Sequence, residues 1–233
     1  MRAIVYSRTS HLTDRQRSSI LDWAAEQPQN GLALRAFLAS IALAALRPKE
    51  SLALRVRDME FADDGRGWLL VHPQAPERCE KDSDCAGDVR RVPLCRQLAT
   101  ILKEEAIRRN LRPDDAIFVL DDGRSLTAQI YRNVWWQARA AILEADEIDL
   151  SLGRNVSDLR DACIAAWLKN GDQTVAHILA VAEWAGMSAP RLAERFAPCL
   201  RMPTRDEIPW DQIEAAMALP DLPSDSKSAP QRP

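Results

Sequence analysis

Residues 32–45, LALRAFLASIALAA, read as a helix that is apolar on every side, with Arg35 and Ser40 as its exceptions. A helix of that kind has no solvent face, so it is expected at the centre of a domain with other elements wrapped round it. Neighbouring segments supply amphipathic partners. Thr13 followed by Gln16 before SSILDWAA predicts a capping box opening a first helix that runs to about Glu26. Pro48 suits the first turn of a short third helix carrying Glu50, Leu52 and Leu54. The pattern then changes to extended structure. WLLVHP follows the turn signal DDGRG, RRVPL is a second β-type run, and the polar PQAPERCEKDSDCAGD between them reads as a hairpin tip or loop. Helical period resumes over Arg96–Asn110, and IFVL gives one more extended segment. Helices are then expected at Thr127–Ala145, Ser157–Asn170, Val175–Ala185 and Ala189–Ala197, with Gly171 and Gly186 as left-handed ends. Strands grouped between two sets of helices predict a mostly α (α+β) domain with a small antiparallel sheet at one edge. The expected organisation is a domain over 1–205, a short amphipathic helix over 206–219 and a Pro- and Ser-rich disordered tail over 220–233.

Composition removes several classes. At 46% hydrophobic and 28% charged, the 233 residues can bury a core. The longest apolar run, Ile41–Leu46, is far short of the roughly 20 residues a membrane span needs. The N-terminal MRAIVYSRTSHL lacks the apolar stretch of a signal peptide, so a cytoplasmic chain is expected, with no membrane partner. Five cysteines, none in a CxxC pair, with only three histidines, argue against a disulfide framework and a zinc site, and His177 has no partner pattern. No Gly-rich phosphate loop, HExxH or GxSxG is present, and no metal, cofactor or small-molecule substrate is expected. The net charge of -3 is unusual for a nucleic-acid binder, but basic residues are unevenly placed. Residues 124–143, RSLTAQIYRNVWWQARAAIL, hold Arg124, Arg132 and Arg139 and no acid. With Tyr131, Trp135 and Trp136 between them, these arginines read either as a phosphate-contacting face or as a solvated face over a buried tryptophan.

Five blocks, in order, carry a resemblance to a known family. ALRPKESLALRVRDMEF resembles the segment round the first catalytic arginine of tyrosine recombinases, the phage-integrase family. APERCEKDSDCAGDVRRVPL looks like the family's β-hairpin, whose lysine precedes R-x-V-P-L. GRSLTAQIYRNVWWQARAA resembles the segment before the next motif, and VSDLRDACIAAWLKNG is similar to the helix bearing H-x-x-R. VAEWAGMSAPRLAERFAPCL resembles the closing run with L-G-H-S and a tyrosine nine residues after that histidine. The likeness covers about Leu12 to Leu200. It implies the recombinase catalytic-domain fold, without the family's N-terminal DNA-clamping domain, because only about 45 residues precede Arg47.

In that family a tyrosine attacks a DNA phosphate to form a 3′-phosphotyrosyl bond, without metal or cofactor. Arginines neutralise the pentavalent phosphate, a lysine protonates the leaving oxygen and histidines move the other protons. Carried over by position, the resemblance places Arg47 and Arg160 at the two arginines, Glu50 three after the first, and Lys81 at the lysine. The remainder is replaced. Ser157 stands at the histidine of H-x-x-R, Met187 at that of L-G-H-S, and Phe196 at the tyrosine. Phenylalanine has the volume of tyrosine but no oxygen.

Each position also has a plainer reading. Arg47 and Glu50, one turn apart, could be an ordinary ion pair, and Lys81 a solvated loop lysine among acidic neighbours. Asp158 and Asp161 flank Arg160 and would compromise phosphate binding if both faced it. Met187 and Phe196 read as core. The resulting expectation is an integrase-like DNA-binding protein of the recombination and integration family that cannot cleave DNA, a pseudo-recombinase acting as regulator or accessory factor on double-stranded DNA that it binds weakly. The competing expectation is an interaction module that assembles through the helix carrying Ile208, Trp210, Ile213 and Met217, without DNA. An active enzyme with an unconventional nucleophile and a decaying, functionless relic are the remaining readings.

Overall fold

The computed structural model describes residues 11–73, 89–201, 211 and 213. The chain divides into two units, Met1–Leu200 and Arg201–Pro233. In the second, Asp211 and Ile213 are helical. Ile208, Trp210 and Met217, like Lys81 and the tail at 220–233, lie outside the described residues.

Helix α1 (Asp14–Ala25) opens on the expected box: Thr13 Oγ1 accepts the Gln16 amide at 3.2 Å, and Gln16 Oε1 accepts the Thr13 amide at 2.8 Å. Helix α2 (Gly31–Ala44) is the central element, packed on α1, on α3 (Pro48–Ala53), on α4 (Arg96–Arg108), on α7 (Ser157–Asn170) and on strand β3 (Arg90–Leu94). Its many alanines let so many neighbours come close, while Phe37 lies between Tyr131, stacked at 4.9 Å, and Phe118, edge-on at 5.6 Å. The polar Ser40 is satisfied internally, with Oγ 2.6 Å from the Phe37 carbonyl and 2.9 Å from Ser51 Oγ.

Strands β1 (Met59–Phe61), β2 (Gly67–Val71) and β3 form one antiparallel sheet in that order, with Leu69 opposite both Met59 and Val92. Leu69, Val71, Val92 and Leu94 are buried, while Trp68 on the other face lies under the Arg91 guanidinium at 5.1 Å. The β1 strand was not foreseen, since three residues carry no readable period. IFVL does not join the sheet; it makes an isolated bridge from Val119 to Ser125 and buries Ile117, Phe118 and Leu120.

The helix expected over Thr127–Ala145 is divided into α5 (Ala128–Ile142) and α6 (Ala145–Asp149) by an extended Leu143. Leu143 is buried, and Glu147 accepts the Glu144 amide at 3.0 Å to start the new helix, so the break buries one more leucine. Helix α7 has the expected bounds. Helix α8 (Val175–Ala185) follows the Thr174 cap, and α9 (Ala189–Arg195) gives way to a 3-10 turn at Ala197–Cys199. Gly186 is left-handed as expected, at φ 61°, but Gly171 is extended, at φ −87°. What Gly171 supplies is room: a Cβ there would lie 2.0 Å from His177 Nε2. Among the described residues no helix is long and apolar enough to cross a membrane.

Buried side chains form one large cluster round α1, α2, α4, α5 and the sheet, and a second round α7, α8 and α9 that includes Ala45 and Phe196.

Candidate functional site

The end of α2 and the sequence Arg47-Pro48-Lys49-Glu50 build the first half of the site. Ala45 is left-handed at φ 50°, which turns the chain so that Leu46 is buried and Arg47 becomes the extended N-cap of α3. Pro48 fixes the first turn. Glu50 then folds back, and its Oε2 accepts the Arg47 amide at 2.7 Å. The carboxylate is buried, and its main partner is not Arg47, whose Nη1 stands 3.5 Å away. Arg90, the first residue of β3, grips it with both prongs, Nη1 to Oε1 at 2.8 Å and Nη2 to Oε2 at 2.6 Å. Burial pushes the Glu50 carboxyl up, but the hydrogen bonds and charge of Arg90, helped by Arg47, outweigh it and hold the group below the usual carboxylate range.

The end of α8 builds the second half. Gly186 donates to the Glu183 carbonyl at 2.9 Å and Met187 to that of Ala182 at 3.1 Å, which closes the helix and leaves its last carbonyls without helical partners. Guanidiniums take successive ones: Arg90 Nε donates to Trp184 O at 3.2 Å, Arg160 Nη2 to Ala185 O, and Arg47 Nη2 to Gly186 O at 2.7 Å. Arginines distant in sequence, from the α2–α3 junction, β3 and α7, thus meet at the negative end of one helix dipole. Positive charge is in excess there, because Glu50 is the one carboxylate bonded to the group among the described residues.

Arg160 feels this most. It is 6% exposed, and burial, reinforced by the repulsion of Arg47 and Arg90, pulls its pKa down to about 10. Its Nη1 is buried with no hydrogen-bond partner among the described residues. The flanking carboxylates do not bond it. Asp161 pairs with Arg195 at 2.5 Å, and Asp158 accepts the Asn155 amide at 3.2 Å.

Arg47, Glu50 and Arg160 therefore come together, and Arg90 joins them. Sequence reasoning missed Arg90, although it is the arginine of R-x-V-P-L and a charged residue opening a buried strand was a usable signal. Ser157 is the half-buried first residue of α7, and Met187 is half-buried beside Gly186 against the second cluster. Phe196 is fully buried, with His11 stacked on its ring at 5.7 Å and the Arg195 guanidinium 6.0 Å from it. No pattern round His11 pointed to that contact.

The expected face of Arg124, Arg132 and Arg139 needs correction. Arg139 is buried, donating Nε to Leu152 O at 2.8 Å and Nη2 to Ile148 O at 2.9 Å, so it pins the end of α6 and the turn that follows it and does not face outward. Arg124 is exposed but paired with Asp122 at 2.7 Å. Arg132 is exposed on α5. Of the tryptophans, Trp135 is the buried one, its Nε1 donating to Gly153 O at 3.0 Å, and Trp136 is half exposed.

No protein-family model and no curated protein sequence matches the chain. Solved structures do. XerH site-specific recombinase bound to its difH substrate, in a pre-cleavage complex, superimposes with a TM-score of 0.59 at 18% identity over 89% of this chain and 54% of that one. The Tn1549 transposon integrase in complex with transposon right-end DNA gives 0.61 at 14% identity, over 88% of this chain and 66% of that one. XerA recombinase gives 0.55 at 13% identity, over 88% and 62%. The chain thus spans between about half and two thirds of the length of the proteins it matches. A mostly helical domain with a three-stranded antiparallel sheet, superimposable on each of these, has the fold of tyrosine-recombinase catalytic domains.

Proposed function

We propose that this chain is a DNA-binding domain of the recombination and integration family that holds the phosphate backbone without cleaving it, and that it acts as a regulator or accessory factor. The observation that carries the reading is the buried, unpartnered Nη1 of Arg160 within a cluster of excess positive charge. A buried donor without an acceptor is costly, and a guanidinium desolvated beside two others is stabilised by any anion that reaches it. A phosphodiester supplies both the charge and the acceptor oxygens. Arg47, with its side chain 55% exposed, is the entry point for such a group. Helix α5 adds a second stretch of surface: Gln129, Arg132, Asn133, Trp136 and Gln137 are exposed on one stripe that bears no carboxylate. Cleavage is a separate matter. By the resemblance, Phe196 takes the position of the nucleophile and Ser157 and Met187 those of proton-transferring histidines, and none of these three side chains supplies a phenolic oxygen or an imidazole.

Retention of duplex DNA at rising salt tests this. Binding should be weak, roughly 10⁻⁴–10⁻⁶ M at physiological salt, and should fall steeply as salt is added. Arg47→Ala and Arg160→Ala should each weaken it, and each should reduce the slope of log K against log salt by about 0.9, one phosphate contact. DNA retention that ignores salt, or that both variants leave intact, overturns the reading.

A further inference from the structure

We propose that Arg90 is a positioning residue that sets the phosphate affinity of this site by occupying the Glu50 carboxylate and so leaving the charge of Arg47 available. The inference rests on the phosphate-binding reading above. Glu50 is buried at the foot of the site and can serve one guanidinium bidentately. Arg90 holds both of its oxygens, at 2.8 and 2.6 Å, while Arg47 reaches no closer than 3.5 Å with a side-chain nitrogen. Arg90 is itself ill placed to touch DNA. Its side chain is 15% exposed, its Nη1 and Nη2 are on Glu50, and its Nε is on the Trp184 carbonyl. Arg47 is the reverse case, with a side chain 55% exposed that, among the described residues, donates to the Gly186 carbonyl and stands 3.5 Å from Glu50.

Without Arg90, the buried carboxylate would have Arg47 as its nearest cation, because Arg160 donates instead to Ala185 O. A buried carboxylate is strongly driven to find a cation. Arg47 would close the 3.5 Å gap and turn inward, and the site would lose its exposed charge. The proposal therefore makes an unusual demand: removing a positive charge should weaken DNA binding, and then removing a negative charge at a neighbouring buried residue should restore it by freeing Arg47 again.

The experiment uses the full chain with Arg90→Met, Arg90→Lys, Glu50→Gln and the double Arg90→Met/Glu50→Gln, each carried through DNA retention over a salt series and thermal unfolding. Arg90→Met should bind about tenfold more weakly, with a slope lower by about 0.9, the loss of one phosphate contact. The double variant should return to within about threefold of the parent and regain the slope. Arg90→Lys keeps a cation beside Glu50 and should leave the slope unchanged, which gives a readout should Arg90→Met fail to unfold cooperatively. A folded double variant that binds as weakly as Arg90→Met, or an Arg90→Lys variant with the reduced slope, overturns the proposal and leaves phosphate binding by Arg47 and Arg160 standing. A parent chain with no salt-dependent retention overturns both.

Discussion

Phe196, the residue that the sequence resemblance sets against the family's tyrosine, is closed off from solvent. The ring is fully buried in the apolar cluster of α7, α8 and α9 that also holds Ala45, Cys163 and Leu192, with His11 stacked against it. His11 is therefore desolvated, and burial is the main cause holding its pKa below the ordinary 6.5; Lys169 and Arg195 add to that effect, while Asp161 and Asp158 oppose it. The sign of the consequence follows from linkage. A histidine whose folded pKa lies below its unfolded one binds fewer protons when folded, so its contribution to stability is present above about 6.5 and is lost as pH falls through and below that value. The chain should lose thermal stability between pH 7 and pH 5.5, and His11→Phe, which keeps a ring on Phe196 but does not titrate, should lose less. Equal losses in the two proteins would show that the stack is not the source. Neither partner of this contact could have been paired from sequence, because nothing in the chain marks a residue before the first helix as the neighbour of one near the last. Arg47, Glu50 and Arg160 were legible for the opposite reason, since each lies in a motif whose spacing is local.

Helix ends do most of the positioning in this fold, and they differ in why they need glycine. At the end of α8, Gly186 has φ 61°, a conformation that costs an L-residue roughly 1–2 kcal/mol, and a Cβ there would approach the Arg90 guanidinium to 3.1 Å. At the end of α7, Gly171 has an ordinary backbone, and the obstacle is the His177 ring, whose Nε2 lies 3.0 Å from the Trp167 carbonyl. The two substitutions should behave differently in a double-mutant test. Gly171→Ala should destabilise the parent chain and be nearly neutral once His177→Ala has removed the ring. Gly186→Ala should cost about the same whether or not His177 is present, since its penalty is in the backbone. Urea unfolding of the single and double variants measures both, and an unrescued Gly171→Ala would sink the steric account. The sequence marked both glycines as helix ends because that is where glycine is frequent, but frequency does not distinguish handedness from room. The same limit explains the missed strand β1 and the break at Leu143. Both are decided by which side chains find burial, whereas the all-apolar α2 and the Thr13–Gln16 box are decided locally.

For the whole molecule, the question is whether a catalyst is one substitution away. The sequence resemblance sets Phe196 against the family's tyrosine, which makes Phe196→Tyr an obvious attempt, and three features of the chain argue that it fails. The ring lies in an apolar cluster, so a phenolic oxygen there would be buried without a partner, at a cost of roughly 1–3 kcal/mol. At the positions that the resemblance gives to histidines, Met187, next to the Gly186 carbonyl that takes Arg47, carries no exchangeable proton, and Ser157 carries no imidazole that cycles near neutral pH. Groups that act together in catalysis also contribute non-additively, so restoring one member of a set that lacks several recovers little. Phe196→Tyr should therefore unfold at a lower temperature than the parent, form no denaturant-resistant complex with duplex DNA, and relax no supercoiled plasmid, while retaining DNA at low salt as well as the parent through Arg47 and Arg160. A covalent protein–DNA adduct from the unmodified chain would refute the non-cleaving reading outright. One from Phe196→Tyr alone would show that the proton transfers need neither position 157 nor position 187, and that the arginine cluster at the end of α8 is sufficient to activate a phosphodiester once a nucleophile is supplied.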